Sequence, residues 1–241
     1  MKNIGLIGCG NIAETYFRAQ EYFNNINFVA CADINLDAAK KTAEQYKIIP
    51  LSVDEILNDK NVDIILNLTI PQAHYEISKR ALEANKHVYC EKPMSVKFDE
   101  AKELLNLAKK NSLYIGNAPD TFLGGGGQLT RNLIDNDDIG QILTGNFIFA
   151  FPGVQDFHPS PESWFQEGGG PVIDMGPYFF TTLVNLLGPV KNIRGRGAKF
   201  SEKREYKAGP KKGETFNVDI PTSYMFNIEF QNKAIIQGFI S

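Results

Sequence analysis

The chain has 241 residues, 43% hydrophobic and 22% charged, which is the make-up of a folded protein of one large or two small domains. With 25 Lys and Arg against 28 Asp and Glu the formal charge is −3, so the basic excess of a general nucleic-acid binder is missing. No apolar run approaches the ~18 residues of a membrane span, and glycines interrupt the N-terminal apolar stretch too early for a signal peptide.

The first half alternates short apolar runs with amphipathic stretches. Lys2 to Ile7 predicts a strand, broken by Gly8-Cys9-Gly10-Asn11, and a helix follows through Ile12, Ala13, Tyr16 and Phe17. Asn27 to Ala32 is a second strand ending in Asp33, and Asp37 to Tyr46 and Asp54 to Leu57 are helical. Val62 to Leu68 is nearly continuous in apolar residues, as a strand covered on both faces should be. A helix over Ala73 to Ala84 stops at Asn85; His87 to Cys90, Phe98 to Lys109 and Leu113 to Gly116 continue as strand, helix and strand. Such repeated alternation predicts a parallel sheet with right-handed crossovers.

The second half reads differently. Gly124 to Gly127 leads into a helix around Leu129 to Ile134, and Gln141 to Phe151 is a long strand. Pro152 to Pro171 is rich in Pro, Gly and aromatics and reads as a functional loop. Val172 to Leu187 is helical, stopping at Gly188-Pro189; Val190 to Phe200 and Ser223 to Ile240 are strands, the latter a hairpin turning near Gln231-Asn232. Ser201 to Gly213 is charged and is expected to be solvated. The predicted architecture is α/β: a doubly wound Rossmann domain over residues 1–118, then an α+β domain over 119–241 with a mainly antiparallel open sheet. Because the last apolar run ends at Ser241, the last strand is expected to present an unprotected edge.

Cys9, Cys31 and Cys90 are odd in number and lack metal spacing, so they read as reduced thiols of a cytoplasmic protein. His74, His87 and His158 are far apart and no HExxH or CxxC occurs, so no metal site is expected.

Gly8-x-Gly10-x-x-Ala13 follows a strand and opens a helix. The first glycine permits a tight turn, the second lets backbone approach a pyrophosphate, and Ala13 allows close helix–strand packing. Gly8, Gly10, Asn11 and Ile12 thus form a candidate phosphate cradle at a helix N-terminus. Asp33, at the end of the second strand, is placed to bind the ribose hydroxyls and to repel a 2′-phosphate. Ile34 and Asn35 supply no cation for such a phosphate, so NAD is preferred, with NADP possible. The bland alternative is a structural turn beside a surface Asp.

Three separated segments, GLIGCGNIAETY, LTIPQAHYEISKRALEANKHVYCEKPMS and GGGPVIDMGPYFFTTLVNLLGPV, resemble the Gfo/Idh/MocA family of nicotinamide-dependent oxidoreductases, in the expected order. Family members generally run on further, so the resemblance implies a chain lacking the end of its second domain, able to bind NAD but weak in turnover. It implies hydride transfer between NAD(P) and a hydroxyl or carbonyl carbon of a sugar, inositol or related polyol, and pairing of copies through the second-domain sheet into a homo-oligomer. A catalytically weak or inactive NAD-binding sensor or scaffold is the alternative reading.

The resemblance also implies roles. Glu91-Lys92-Pro93 matches the family's EKP element, whose lysine reaches the nicotinamide ribose and the substrate hydroxyl; a cation there stabilises a developing alkoxide. Pro93 is expected to be cis if it follows the family. Thr69, Ile70, Pro71 and His74 match the loop along the cofactor, with His74 structural or cofactor-side rather than a general base. Asp174 falls on the family's Asp-x-Gly-x-His motif, but Tyr178 stands where the histidine is usual. A phenol with a reference pKa of ~10 is a poor base at neutral pH unless Lys92 lowers it. The alternatives are an N-capping Asp174 and a packed Tyr178. His158, in the long loop before Trp164-Phe165, is an alternative acid/base.

Overall fold

The computed structural model describes all residues, Met1–Ser241, as two compact units, Met1–Ala118 and Pro119–Ser241. The first contains the strands β1 (Lys2–Ile7), β2 (Ile26–Ala32), β3 (Ile49–Pro50), β4 (Ile64–Asn67), β5 (His87–Cys90) and β6 (Ile115–Asn117). They form one sheet in the order β3-β2-β1-β4-β5-β6, every neighbouring pair parallel. Between them run the helices α1 (Ala13–Ala19), α2 (Leu36–Tyr46), α3 (Val53–Asn58), α4 (Pro71–Glu83) and α5 (Phe98–Lys110). This is the doubly wound order, with its switch point between β1 and β4.

Side-chain alternation explains the near-continuous apolar strands. In β1, Ile4 and Leu6 join Phe17, Cys31, Ala43 and Leu66 in one core, whereas Ile7 joins Ile65, Leu82, Val88 and Leu104 in the other. Both faces are therefore buried, as a parallel sheet requires. Local chemistry sets the helix ends. Asn35 caps α2 by accepting from the Asp37 and Ala38 N–H groups, Ser52 and Glu55 form a capping box on α3, and α4 starts with Pro71 at its first turn. Asn85, the expected stop of α4, has φ 57°. The short β3 adds a strand that periodicity does not reveal, since two residues, one a proline, carry no repeat.

The second unit has helices α6 (Gly125–Asp135) and α7 (Pro171–Leu187), and strands β7 (Thr144–Phe149), β8 (Val190–Ala198), β9 (Lys203–Glu205), β10 (Thr215–Asn217), β11 (Ser223–Phe230) and β12 (Ile235–Ile240). The main sheet runs β7-β12-β11-β8; β11 is antiparallel to β12 and β8, and β12 is parallel to β7. One face packs Ile228, Phe230 and Ile236 against Phe180, Leu183 and Leu187 of α7.

Two expectations are corrected here. The last strand is not an edge: β12 lies between β11 and β7, since β7, much earlier in the chain, pairs parallel with its outer side and satisfies backbone groups that an edge would leave unpaired. The segment over residues 201–213 is not simply solvated. Its β9 pairs with β10, and Tyr206, Phe216 and Val218 bury themselves around Phe165 in a second small core. The long loop over residues 152–170 folds against this core through two 3-10 turns, Val154–Asp156 and Glu162–Phe165. No helix is long and apolar enough to cross a membrane.

Candidate functional site

The turn after β1 is shaped for close approach by a ligand. Gly8 has φ +103°, and a Cβ there would fall 2.6 Å from the Leu68 carbonyl group, so only glycine fits. Gly10 differs: nothing lies within 4 Å of where its Cβ would be, so its backbone faces open space. Asp33 ties the turn to β2. Its Oδ2 accepts the Cys9 N–H at 2.7 Å and its Oδ1 accepts the Asn35 N–H at 2.7 Å. These two bonds orient the carboxylate and leave each oxygen a further lone pair. Gly8, Gly10, Asp33, Thr69 and Ile70 line one groove of about 480 Å³, floored by Ile7, Leu68 and Ile77. Asn11 and Ile12 stand exposed at the start of α1, where no side chain caps the helix. Glycine approach, an oriented carboxylate and an apolar floor fit a dinucleotide's pyrophosphate, ribose and base in turn.

The neighbouring loop is built from buried polar groups. Asn67, fully buried, donates to the His74 carbonyl and Ser78 Oγ at 3.0 Å each, and accepts from the Thr69 N–H and hydroxyl at 3.2 and 2.7 Å. His74 is 1% exposed, and both ring nitrogens face carbonyls: Nδ1 that of Pro93 at 2.6 Å, Nε2 that of Thr69 at 2.8 Å. The ring therefore joins the cofactor-side loop to the EKP element. Within that element the Lys92-Pro93 bond is cis. Glu91 accepts from Tyr16 Oη at 2.8 Å and from the Lys92 N–H at 2.9 Å, while Asn117 Nδ2 donates to the Cys90 and Glu91 carbonyls. Burial pushes the Cys90 thiol up to about 12, which makes it an inert core residue. Sequence reasoning missed Asn67 and Asn117; an asparagine closing an otherwise apolar strand was the available signal for both.

In the second unit Asp174 lies in the first turn of α7. It is not the cap: Gly170, at φ 93°, holds that position, and the Asp174 N–H already donates to the Gly170 carbonyl at 2.9 Å. Its carboxylate instead accepts the indole N–H of Trp164 at 3.3 Å. Tyr178 follows one turn later on the same helix face, its carbonyl accepting from Thr182 Oγ1 at 2.7 Å. His158 is exposed, and its Nδ1 accepts the Ser160 N–H at 3.1 Å. Trp164 packs edge-on to Phe151 and Phe165, which links it to the small core.

Comparison with known proteins gives the chain its place. The family described as "Oxidoreductase family, NAD-binding Rossmann fold" matches residues 2–117, and the GFO/IDH/MocA C-terminal domain matches residues 128–241. D-xylose dehydrogenase of Paenarthrobacter nicotinovorans is 28% identical over 177 residues, 70% of this chain and 46% of that protein. Inositol 2-dehydrogenase of Salmonella typhimurium is 30% identical over 146 residues, 58% of this chain and 43% of that protein. The solved structure of levoglucosan dehydrogenase with NADH and L-sorbose superposes with a TM-score of 0.86 at 22% identity, covering 99% of this chain and 66% of that one, a likeness of fold. The chain spans less than half the length of these two curated relatives. With one family's two domains matching in order along nearly its whole length, the chain belongs to the Gfo/Idh/MocA family of oxidoreductases, and its first unit is that family's NAD-binding Rossmann fold.

Proposed function

We propose that the protein is an NAD-dependent dehydrogenase acting on a hydroxyl-bearing carbon of a sugar, inositol or related polyol. The observation that carries this is the one groove in which Gly8, Gly10, Asp33 and Thr69 converge, with the His74 ring set between the Thr69 and Pro93 carbonyls. When bound, NAD supplies the two-electron acceptor. The chain's residues do the rest. The turn holds the pyrophosphate, Asp33 the adenosine ribose, and Lys92 stabilises the alkoxide as the hydroxyl proton leaves. Asp174, oriented by Trp164, binds a substrate hydroxyl, and Tyr178 or His158 takes the proton. The Asp33 carboxylate favours NAD over NADP by repelling a 2′-phosphate. The names of the relatives, a xylose and an inositol dehydrogenase, support the substrate class.

A second reading, a cofactor-binding sensor without turnover, is favoured by Tyr178 in place of the usual histidine. Following NADH formation over a panel of pentoses, hexoses and inositols separates the two. Turnover that Lys92→Ala lowers by about 10²–10⁴-fold supports the dehydrogenase. NADH binding with no turnover of any polyol points to the sensor.

A homo-oligomer is proposed through the uncovered face of the second-unit sheet. Ile148, Phe239 and Met225 form a row across β7, β12 and β11 on the side away from α7, with Ile148 70% and Met225 67% exposed.

A further inference from the structure

Part of the cofactor groove's lining lies outside the dinucleotide motif: Ile34, Val53 of α3, and Ile77 and Arg80 of α4. Ala73, Ile77 and Arg80 recur at helical spacing, so one face of α4 lines the groove. Arg80 is not a loose surface cation. Its Nη2 donates to Oδ1 of Asp54 on the neighbouring helix, and its side chain is 35% exposed while that of Asp54 is 81% exposed. A guanidinium is planar, offers a face for stacking on an aromatic ring, and loses less freedom when a partner already holds it.

Resting on the dinucleotide reading above, we propose that Arg80, positioned by Asp54, walls the adenine subsite and stacks on the base. The position follows from the shared lining. Ile34 directly follows Asp33 and lines the same groove as Val53, Ile77 and Arg80, so a base attached to a ribose held at Asp33 meets these side chains. The aliphatic neighbours suit one face of a flat heterocycle, and the cation suits its π cloud. The pairing also decides what Arg80 does not do. With Asp54 neutralising it and Asp33 on the same groove, it makes no net-positive receptor for a 2′-phosphate.

Titration calorimetry of the chain with NADH, ADP-ribose and NADPH tests this. Arg80→Ala is expected to weaken NADH and ADP-ribose alike by about 5–30-fold, with NADPH losing no more than NADH. Arg80→Lys, which keeps the charge but not the plane, should recover only part of that loss, and Asp54→Asn should cost about twofold to fivefold. Both conservative variants keep the fold assessable if the alanine variant melts early. Unchanged ADP-ribose affinity in Arg80→Ala and Arg80→Lys overturns the adenine wall, as does a loss confined to NADPH. Failure of the unmodified chain to bind either NADH or ADP-ribose sinks the dinucleotide reading itself.

Discussion

Gly8 and Gly10, read from the sequence as a tight turn and a point of phosphate approach, sit in opposite surroundings in the structure. Gly8 is confined by the Leu68 carbonyl and a left-handed φ; Gly10 has empty space around it. Gly8→Ala should therefore destabilise the fold by about 1–3 kcal/mol in denaturant unfolding. Gly10→Ala should leave stability within about 0.5 kcal/mol yet weaken NADH binding about tenfold or more, because its new methyl occupies the approach path of the phosphates. The EKP element makes a similar distinction. The motif points to its lysine, whereas it carries no sign of the residues that hold the element in place. His74 reads as a cofactor-side or structural histidine; only the structure shows both ring nitrogens against the Thr69 and Pro93 carbonyls. His74→Phe should lower stability by about 1–3 kcal/mol, measured by urea unfolding, since it removes the ring N–H that one of these partly buried carbonyls accepts.

At the scale of elements, the charged segment after β8 shows why charge alone misleads. Residues 201–213 carry so many charges that alternation is hidden, and the single apolar member of that stretch to be buried, Tyr206, has no periodic companion. The pairing of β9 with β10 and the clustering of Tyr206, Phe216 and Val218 on Phe165 depend on residues far apart in the chain. Glu162 clamps the loop to this hairpin, accepting from the Tyr206 hydroxyl and from Lys211 Nζ, the latter at 3.0 Å. The Tyr206 hydrogen bond, then a backbone bond and Lys211, hold its carboxyl at about 2, below the reference 4.5. A depressed folded-state value means that this clamp stabilises fully above pH 4.5 and is lost as pH falls from there to about 2. Melting curves across that window should converge for the native chain and Glu162→Gln at the acid end and separate above it. Parallel curves at a fixed offset would show that the clamp does not titrate there.

For the molecule as a whole, the proposed homo-oligomer makes the uncovered sheet face the decisive surface. Met225→Asp combined with Ile148→Asp should shift the mass seen in light scattering from oligomer to monomer without lowering the melting temperature, since both side chains are exposed. A change of mass with an edge substitution on β8 instead would move the interface to the sheet edge. The doubly wound sheet, the glycine turn, the acid after β2 and the helix bearing Asp174 were set by the sequence itself, because strand and helix periods, turn glycines and an acid after a strand are local signals. Tertiary structure alone decided that β12 is interior, that Asp174 pairs with Trp164 rather than capping its helix, and that Arg80 reaches the groove of Gly10 and Asp33. Those outcomes depend on strand order and on packing between distant segments, and a short-range pattern carries no record of which distant partner will bury a given face.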